Sequence, residues 1–240
     1  MPNDYFQFKQ FRVEQGSCAM KVSTDACLLG AAANLSGATR VLDIGTGTGL
    51  LALMAAQRHP TACIEAVEID AAAAAQAAAN AAASTWAGRI QVVNLSLKEY
   101  AQTSPAAFSH IICNPPFFGS AWPSADVARR TARHVSEASL SYEELADYAR
   151  QLLLPDGTLT VLLPPPEMVR FGDVAQSQGL VLASRLVVRH RPAGRVTRHI
   201  CAYSTGTKAA TEAELVIYAG TGPEYSPGFK ALLGDFYLAL

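Results

Sequence analysis

Apolar residues along this chain fall into short dense runs set between stretches rich in helix formers. Val41-Leu42-Asp43-Ile44, Cys63-Ile64-Glu65-Ala66-Val67, Ile90-Gln91-Val92-Val93 and Phe108-Ser109-His110-Ile111-Ile112-Cys113 have the length and apolar content of buried strands. Leu50-Leu51-Ala52-Leu53-Met54-Ala55-Ala56 and the alanine tract Ala71 to Ala83 are composed of strong helix formers. The pattern predicts a strand near Arg40–Ile44, a helix near Leu50–Gln57, a strand near Cys63–Val67 and a helix near Ala71–Ser84. Strands Ile90–Val93 and His110–Cys113 follow, then a helix over Ser141–Leu154. Asp156-Gly157 turns the chain into a strand Thr158–Leu163, which Pro164-Pro165-Pro166 ends. A helix Glu167–Ser177 leads to strand Val181–Val188, and His199–Ser204 and Glu214–Tyr218 are the last strands. Such alternation of strand and helix predicts an α/β domain with a parallel, doubly wound sheet.

Composition narrows the class. A chain of 240 residues that is 50% hydrophobic can bury one full core, so residues 1–240 read as a single domain without linker or repeat. Cys18, Cys27, Cys63, Cys113 and Cys201 are scattered without metal-ligand spacing. Their odd number and apolar contexts favour reduced, buried thiols in a cytoplasmic protein, and no metal is expected. The polar start Met1-Pro2-Asn3-Asp4-Tyr5 is unlike a signal peptide. No apolar run reaches membrane-spanning length; Gln76 and Asn80 interrupt even the alanine tract.

Two motifs carry chemistry. In the first, the strand ending in Asp43-Ile44 runs into Gly45-Thr46-Gly47-Thr48-Gly49 and then a helix. Glycines permit a tight turn and close approach of a ligand, and the helix start presents free N–H groups. The spacing is GxGxG, not the GxGxxG of dinucleotide folds. Asp43 would repel a pyrophosphate but suits an ammonium group, such as the methionine part of S-adenosylmethionine. Glu68, in Glu68-Ile69-Asp70, lies about twenty residues past the glycines, where an acid chelates ribose hydroxyls. Asp70 suits a cap for the next helix. The bland reading makes each acid a cap or surface charge. In the second motif, Asn114-Pro115-Pro116-Phe117-Phe118 follows a strand that the prolines must end. A stiff loop there offers an amide acceptor and an aromatic ring at a strand's carboxyl end, where α/β sheets place ligands. An ordinary proline-rich turn with two core phenylalanines is the alternative.

Asp-x-Gly-x-Gly-x-Gly, then Glu-Ile-Asp, then Asn-Pro-Pro-Phe is the motif order of Rossmann-like amine methyltransferases. With Ala19-Met20-Lys21-Val22-Ser23-Thr24-Asp25 and the doubled Phe117-Phe118, the chain resembles the bacterial family that methylates N6 of the adenine 3′ of the anticodon in valine tRNA. The likeness runs from about Phe8 to Tyr203. It implies a Rossmann-like methyltransferase fold of about seven strands with an antiparallel strand at the carboxy-terminal end. It implies S-adenosylmethionine bound by Lys21, Thr24, Asp25, Asp43, Gly45, Gly47, Gly49, Glu68, Ile69, Ser96 and Asn114, with residues 1–35 packing over that site. Ser96 stands where such enzymes often carry an Asp near the cofactor's adenine. Asp25 could equally be only the cap of a helix Ala26–Ala33. Catalysis would fall to Asn114, Pro115, Pro116 and Phe117. The amide and the Pro115 carbonyl would accept the hydrogens of an adenine amine, while Phe117 stacks on the base.

Net charge is −1, so nothing global announces nucleic acid. Yet Arg185, Arg189, Arg191, Arg195 and Arg198 lie in one stretch without an acid, and Arg129, Arg130 and Arg133, with His134, follow the Asn-Pro-Pro-Phe loop. Clustered arginine suits phosphate contacts, and Arg129, Arg130, Arg133, Arg189, Arg191 and Arg195 are the expected RNA contacts. A solvated charged face is the plainer reading. Rival functions are a guanine-N2 ribosomal RNA or protein-glutamine methyltransferase, a nicotinamide-dependent oxidoreductase, and a non-catalytic RNA-binding protein.

Overall fold

The computed structural model describes residues 4–18, 20–103, 107–116, 140–206 and 209–240. Phe117, Arg129, Arg130 and Arg133, expected above to touch base or RNA, lie outside the described residues, as do Phe118 and His134.

Strands β1 (Tyr5–Gln7) and β2 (Arg12–Glu14) pair as an antiparallel hairpin of their own. Eight strands form the main sheet: β3 (Arg40–Ile44), β4 (Cys63–Glu68), β5 (Ile90–Asn94), β6 (Phe108–Cys113), β7 (Leu153–Leu163), β8 (Val181–Arg189), β9 (Val196–Ser204) and β10 (Thr211–Val216). Their order is β10-β8-β9-β7-β6-β3-β4-β5. Only β9 runs against its neighbours, β7 and β8; β10 pairs parallel with β8. The reversed strand β9 is the antiparallel strand expected toward the carboxy-terminal end; it is inserted inside the sheet, and β10 beyond it pairs parallel with β8 at the edge. A crossover helix joins β7 to β8 and leaves them one strand apart, and the short turn after β8 folds β9 back into that gap.

One face of the sheet buries Val41, Ile64, Ala66, Ile112, Leu162 and Ile200 against α1 (Thr24–Ala32), α2 (Leu50–Arg58), α3 (Ala71–Ala82) and α7 (Pro227–Leu233). The other buries Leu42, Val67, Ile111, Leu159, Val161 and Cys201 against α4 (Leu97–Thr103), α5 (Tyr142–Leu152) and α6 (Pro165–Ser177). Strands covered on both faces read as continuous apolar runs, which is why the periodicity located them. The amino-terminal hairpin closes one end of the first core. Phe8 is fully buried, stacks on Phe11 at 4.5 Å, and lies 6.1 Å from Tyr237 after α7.

Several boundaries differ from the sequence reading, each for a local reason. Helix α5 stops at Leu152, and Leu153 already belongs to β7. Asp156, at φ 60°, and Gly157 make an irregularity within β7 where its register against β6 shifts. Pro165 and Pro166 open α6 instead of merely ending the strand, since proline suits the first helical turn. Helix α1 begins at Thr24, with Ser23 accepting the Ala26 N–H at 3.2 Å, so Asp25 is not its cap. Strand β10 ends at Val216, and Tyr218 makes only an isolated bridge to Tyr225. Cys63 is exposed, not buried, and all five cysteines are free. Among the described residues no helix is long and apolar enough to cross a membrane, and no cluster could hold a metal ion.

Strands β3, β6 and β7 all terminate at one end of the sheet, at Ile44, Cys113 and Leu163. Because β9 is reversed, its start lies at this end too: His199 pairs with Leu163. The arginine-bearing turn between β8 and β9 therefore overhangs the same end as Asn114.

Candidate active site

The loop after β3 depends on left-handed backbone. Gly45, Gly47 and Gly49 have φ of 68°, 57° and 82°, which only glycine adopts without strain. At Gly45 and Gly47 an added Cβ would meet nothing within 4 Å, so the loop presents bare backbone to open space. Gly49 faces the other way, and a Cβ there would come within 3.3 Å of the Ala77 Cβ on α3. The loop is tied to β4 through Gly45 and Thr46, whose N–H groups donate to the Val67 carbonyl at 2.8 and 3.1 Å.

Asp43 lies beneath this loop, 1% exposed. Its Oδ2 accepts the Thr46 hydroxyl at 2.5 Å and the Ala52 N–H of α2 at 3.1 Å. Its Oδ1 is buried without a partner among the described residues. Burial pushes its pKa up to about 7; the Thr46 and Ala52 hydrogen bonds oppose the shift and the Glu68 charge adds to it. A buried carboxylate oxygen with nothing to accept from is costly unless a donor arrives.

Two clefts meet at Gly45. The first, about 250 Å³, is lined by Glu68, Ile69, Ser96 and Lys98 together with Leu140, just before α5, and Glu144 and Tyr148 on that helix. Glu68 accepts the Gly47 N–H at 2.9 Å and the Asp70 N–H at 3.0 Å, so it braces the loop whatever else it does. Asp70 caps α3 through the Ala73 N–H at 2.8 Å, as its position suggested. Ile69 is 52% exposed, an unusual state for isoleucine, and turns a flat apolar surface to the cleft. Ser96 lines the cleft, but its hydroxyl donates to Glu99 at 2.7 Å and accepts from the Glu99 N–H, capping α4.

The second cleft, about 210 Å³, runs between the loop Gly45–Thr48 and the segment Met20–Ser23, with Asn114 also in its lining. Asn114 follows β6 directly, and its Oδ1 is buried without a partner among the described residues, like that of Asp43 on the adjacent strand. Pro115 is buried and Pro116 exposed. Lys21 is in the lining, 3.9 Å from the Asp4 carboxylate. Thr24 is exposed at the first turn of α1. Asp25 points elsewhere: its Oδ2 accepts the Arg198 guanidinium at 2.8 Å.

Comparison with known proteins fits this geometry. A family model of the methyltransferase small domain matches residues 21–163, which contain the glycine loop, Asn114 and the lining of both clefts except Met20. A protein of Bacteroides thetaiotaomicron named tRNA1(Val) (adenine(37)-N6)-methyltransferase is 42% identical over 241 residues, covering 100% of both chains. The chain belongs to this methyltransferase family. A relative of the same name in Pectobacterium carotovorum subsp. carotovorum is 43% identical across 98% of this chain and 94% of its own. Among solved structures, a predicted O-methyltransferase from Agrobacterium tumefaciens superposes with a TM-score of 0.68 over 88% of this chain and 96% of its own. At 19% identity that likeness speaks for the fold alone.

The methyltransferase's arginine stretch is less free than its sequence suggests. Arg185 pairs with Glu212 at 3.3 Å and Arg189 with Glu214 at 3.1 Å, both acids brought alongside by β10. Arg191 donates to the Gly220 and Gly222 carbonyls and lies over the Tyr218 ring, and Arg198 holds Asp25. Arg195 is exposed and has no partner among the described residues. Nothing in the local sequence announces these pairings, because β10 follows β9 in the chain yet lies beside β8. Sequence reading also missed Gln15, which is buried, and treated Asn80 only as an interruption of the alanine tract.

Proposed function

We propose that this methyltransferase transfers the methyl group of S-adenosylmethionine to N6 of an adenine in the anticodon loop of valine tRNA, the base 3′ of the anticodon. The observation that carries the reading is the Asn114 Oδ1: a buried acceptor without a partner among the described residues, beside the glycine loop, in a chain alike along its whole length to relatives named for that reaction. The donor set suits the cofactor. Two orphaned acceptors, Asp43 Oδ1 and Asn114 Oδ1, call for ligands that bring hydrogen-bond donors. An ammonium group satisfies the first and an exocyclic amine the second. Glu68 keeps lone pairs for ribose hydroxyls, and Ile69 offers a flat surface for the adenine ring. When bound, the cofactor supplies an activated methyl carbon on a sulfonium.

The protein's part is positioning and local electrostatics. Asn114 and the Pro115 carbonyl accept the two amine hydrogens, which draws the nitrogen toward tetrahedral geometry and aims its lone pair. The stacking role that the motif implies for Phe117 falls outside the described residues. An adenine in a loop can be splayed out to reach such a pocket, which a paired base cannot do cheaply. A tRNA substrate implies a cytoplasmic enzyme. Fractionated cellular RNA incubated with the protein and labelled cofactor should take up label in valine tRNA as N6-methyladenosine. Label in ribosomal guanine, or in protein glutamine, would overturn the substrate assignment.

Binding of the cofactor should raise the free energy of unfolding by about 2.7 kcal/mol at a hundredfold excess over Kd. Glu68→Ala should reduce that gain, since it removes both the Gly47 brace and the proposed ribose partner. A thermal shift equal to the parent's would remove Glu68 from the cofactor site. For RNA, Arg195 is the freest of the carboxy-terminal phosphate contacts, with Arg189 and Arg191 shaping the turn that carries it. Arg195→Ala should flatten the log–log salt dependence of tRNA affinity by about 0.7 to 0.9, leaving cofactor affinity unchanged. A slope like the parent's would make the turn an ordinary solvated face.

A further inference from the structure

Asn80 stands in the last turn of α3 among alanines and is 3% exposed. A buried amide in such a helix needs partners, and its three hydrogen bonds are specific. Its Nδ2 donates to the Glu14 carbonyl at 2.8 Å and to the Thr48 carbonyl at 2.9 Å. Its Oδ1 accepts the Glu14 N–H at 3.0 Å. Only this orientation of the amide satisfies all three. The side chain thus acts toward β2 as a neighbouring strand would, and it grips the glycine loop with its remaining proton. The next residue on β2's side, Gln15, is 6% exposed, and its Oε1 accepts the Val22 N–H at 2.8 Å. Thr48 and Val22 lie on opposite walls of the cleft that holds Asn114.

We propose that Gln15 and Asn80 are positioning residues that set the separation of the two walls of this cleft, with the dipeptide Glu14-Gln15 as their common anchor. Asn80 fixes the glycine-loop wall and Gln15 the Met20–Ser23 wall, so both are referred to one rigid hairpin whose Phe8, Phe11 and Val13 are buried in the core. Neither side chain is among the residues lining the cleft, and each acts through the backbone it holds. The amino-terminal hairpin is on this view part of the cofactor site's dimensions, beyond covering it.

The proposal rests on the reading of this cleft as a cofactor site, and the experiment separates the two. S-adenosylmethionine affinity and thermal midpoint are measured for the parent and for Asn80→Asp, Gln15→Met and Gln15→Glu. No binding by the parent would defeat the cofactor reading itself. Given parent binding, Asn80→Asp keeps the acceptor for Glu14 but turns oxygens toward two carbonyls. It should weaken the cofactor by about tenfold, as should Gln15→Met, which strands the Val22 N–H. Gln15→Glu keeps an acceptor for Val22 and should stay within about threefold of the parent. The double variant Asn80→Asp with Gln15→Met should lose less than the product of the single losses, since a wall freed on one side has little left to lose on the other. Parent-like affinity in folded Gln15→Met would overturn the proposal even if Asn80→Asp failed to fold. So would a Gln15→Glu loss as large as that of Gln15→Met, because it would show that the Val22 contact is not what matters.

Discussion

Replacing Asn114 with Ala is expected to lower the rate of methyl transfer by about a hundredfold to a thousandfold while S-adenosylmethionine affinity falls only a few-fold. The asymmetry follows from where the amide oxygen lies. It is buried at the end of β6 without a partner among the described residues, so its removal strands no donor among them and gives little reason for the fold to change. What it loses is the proposed acceptor for the incoming amine, an interaction expected to strengthen only as the nitrogen rehybridises. Such a loss shows in kcat and kcat/KM together. Single-turnover transfer to the RNA, with cofactor binding measured alongside, separates the two effects. Near-parental turnover would take Asn114 out of the chemistry, and a cofactor affinity that collapsed in step with the rate would make it a binding residue.

A second large effect should appear in the pH dependence of cofactor binding. In the unliganded protein burial disfavours the charge of the Asp43 carboxylate and pushes its pKa up to about 7. A carboxyl whose pKa is raised by folding favours the folded state in its protonated form. Its contribution is therefore most favourable below the unfolded pKa near 4 and declines as pH climbs to 7, by on the order of 4 kcal/mol. A cation at Oδ1 has the opposite preference. Affinity for S-adenosylmethionine should rise about tenfold per pH unit below 7, level off, and fall again above about 8, where an α-amino group loses its proton. Asp43→Asn should abolish the acid limb, weaken the cofactor by about a hundredfold at pH 7.5, and raise the unliganded midpoint by several degrees. Calorimetric titration across pH 5.5 to 9 reads the limbs directly. A flat profile in the parent would show that Asp43 does not face the cofactor's charge.

How much of this could be read from the chain alone depended on the range of the interactions. Strands β3 to β6 and helices α2 and α3 were legible because burial on both faces leaves dense apolar runs and alanine is a strong helix former. The glycine loop was legible because left-handed backbone demands glycine at fixed spacing. The hairpin of β1 and β2 was not, since three-residue strands, of whose side chains only Val13 is buried, carry no periodicity. Helix α4 was hidden for another reason: Ser96 read as a candidate cofactor contact before it read as a cap. The fates of Asp25 and Arg189 were beyond reach. Their partners Arg198 and Glu214 lie far along the chain and arrive only because β9 is inserted in reverse and β10 settles beside β8.

That insertion has a consequence for the chain as it is made. Residues 21–163, the span of the family match, end with β7, whose Thr158–Leu163 finds its second neighbour only when His199–Ser204 arrives. Synthesis at about 5 to 20 residues per second leaves an interval of roughly 2 to 8 seconds between the two. During it the strand Thr158-Leu159-Thr160-Val161-Leu162-Leu163 offers an open row of backbone donors and acceptors with apolar side chains on both faces, a template for pairing with a second nascent copy. Fragments cut after Leu163 should therefore precipitate although they carry the whole glycine loop and Asn114. Early occupancy by chaperones should concentrate on β7.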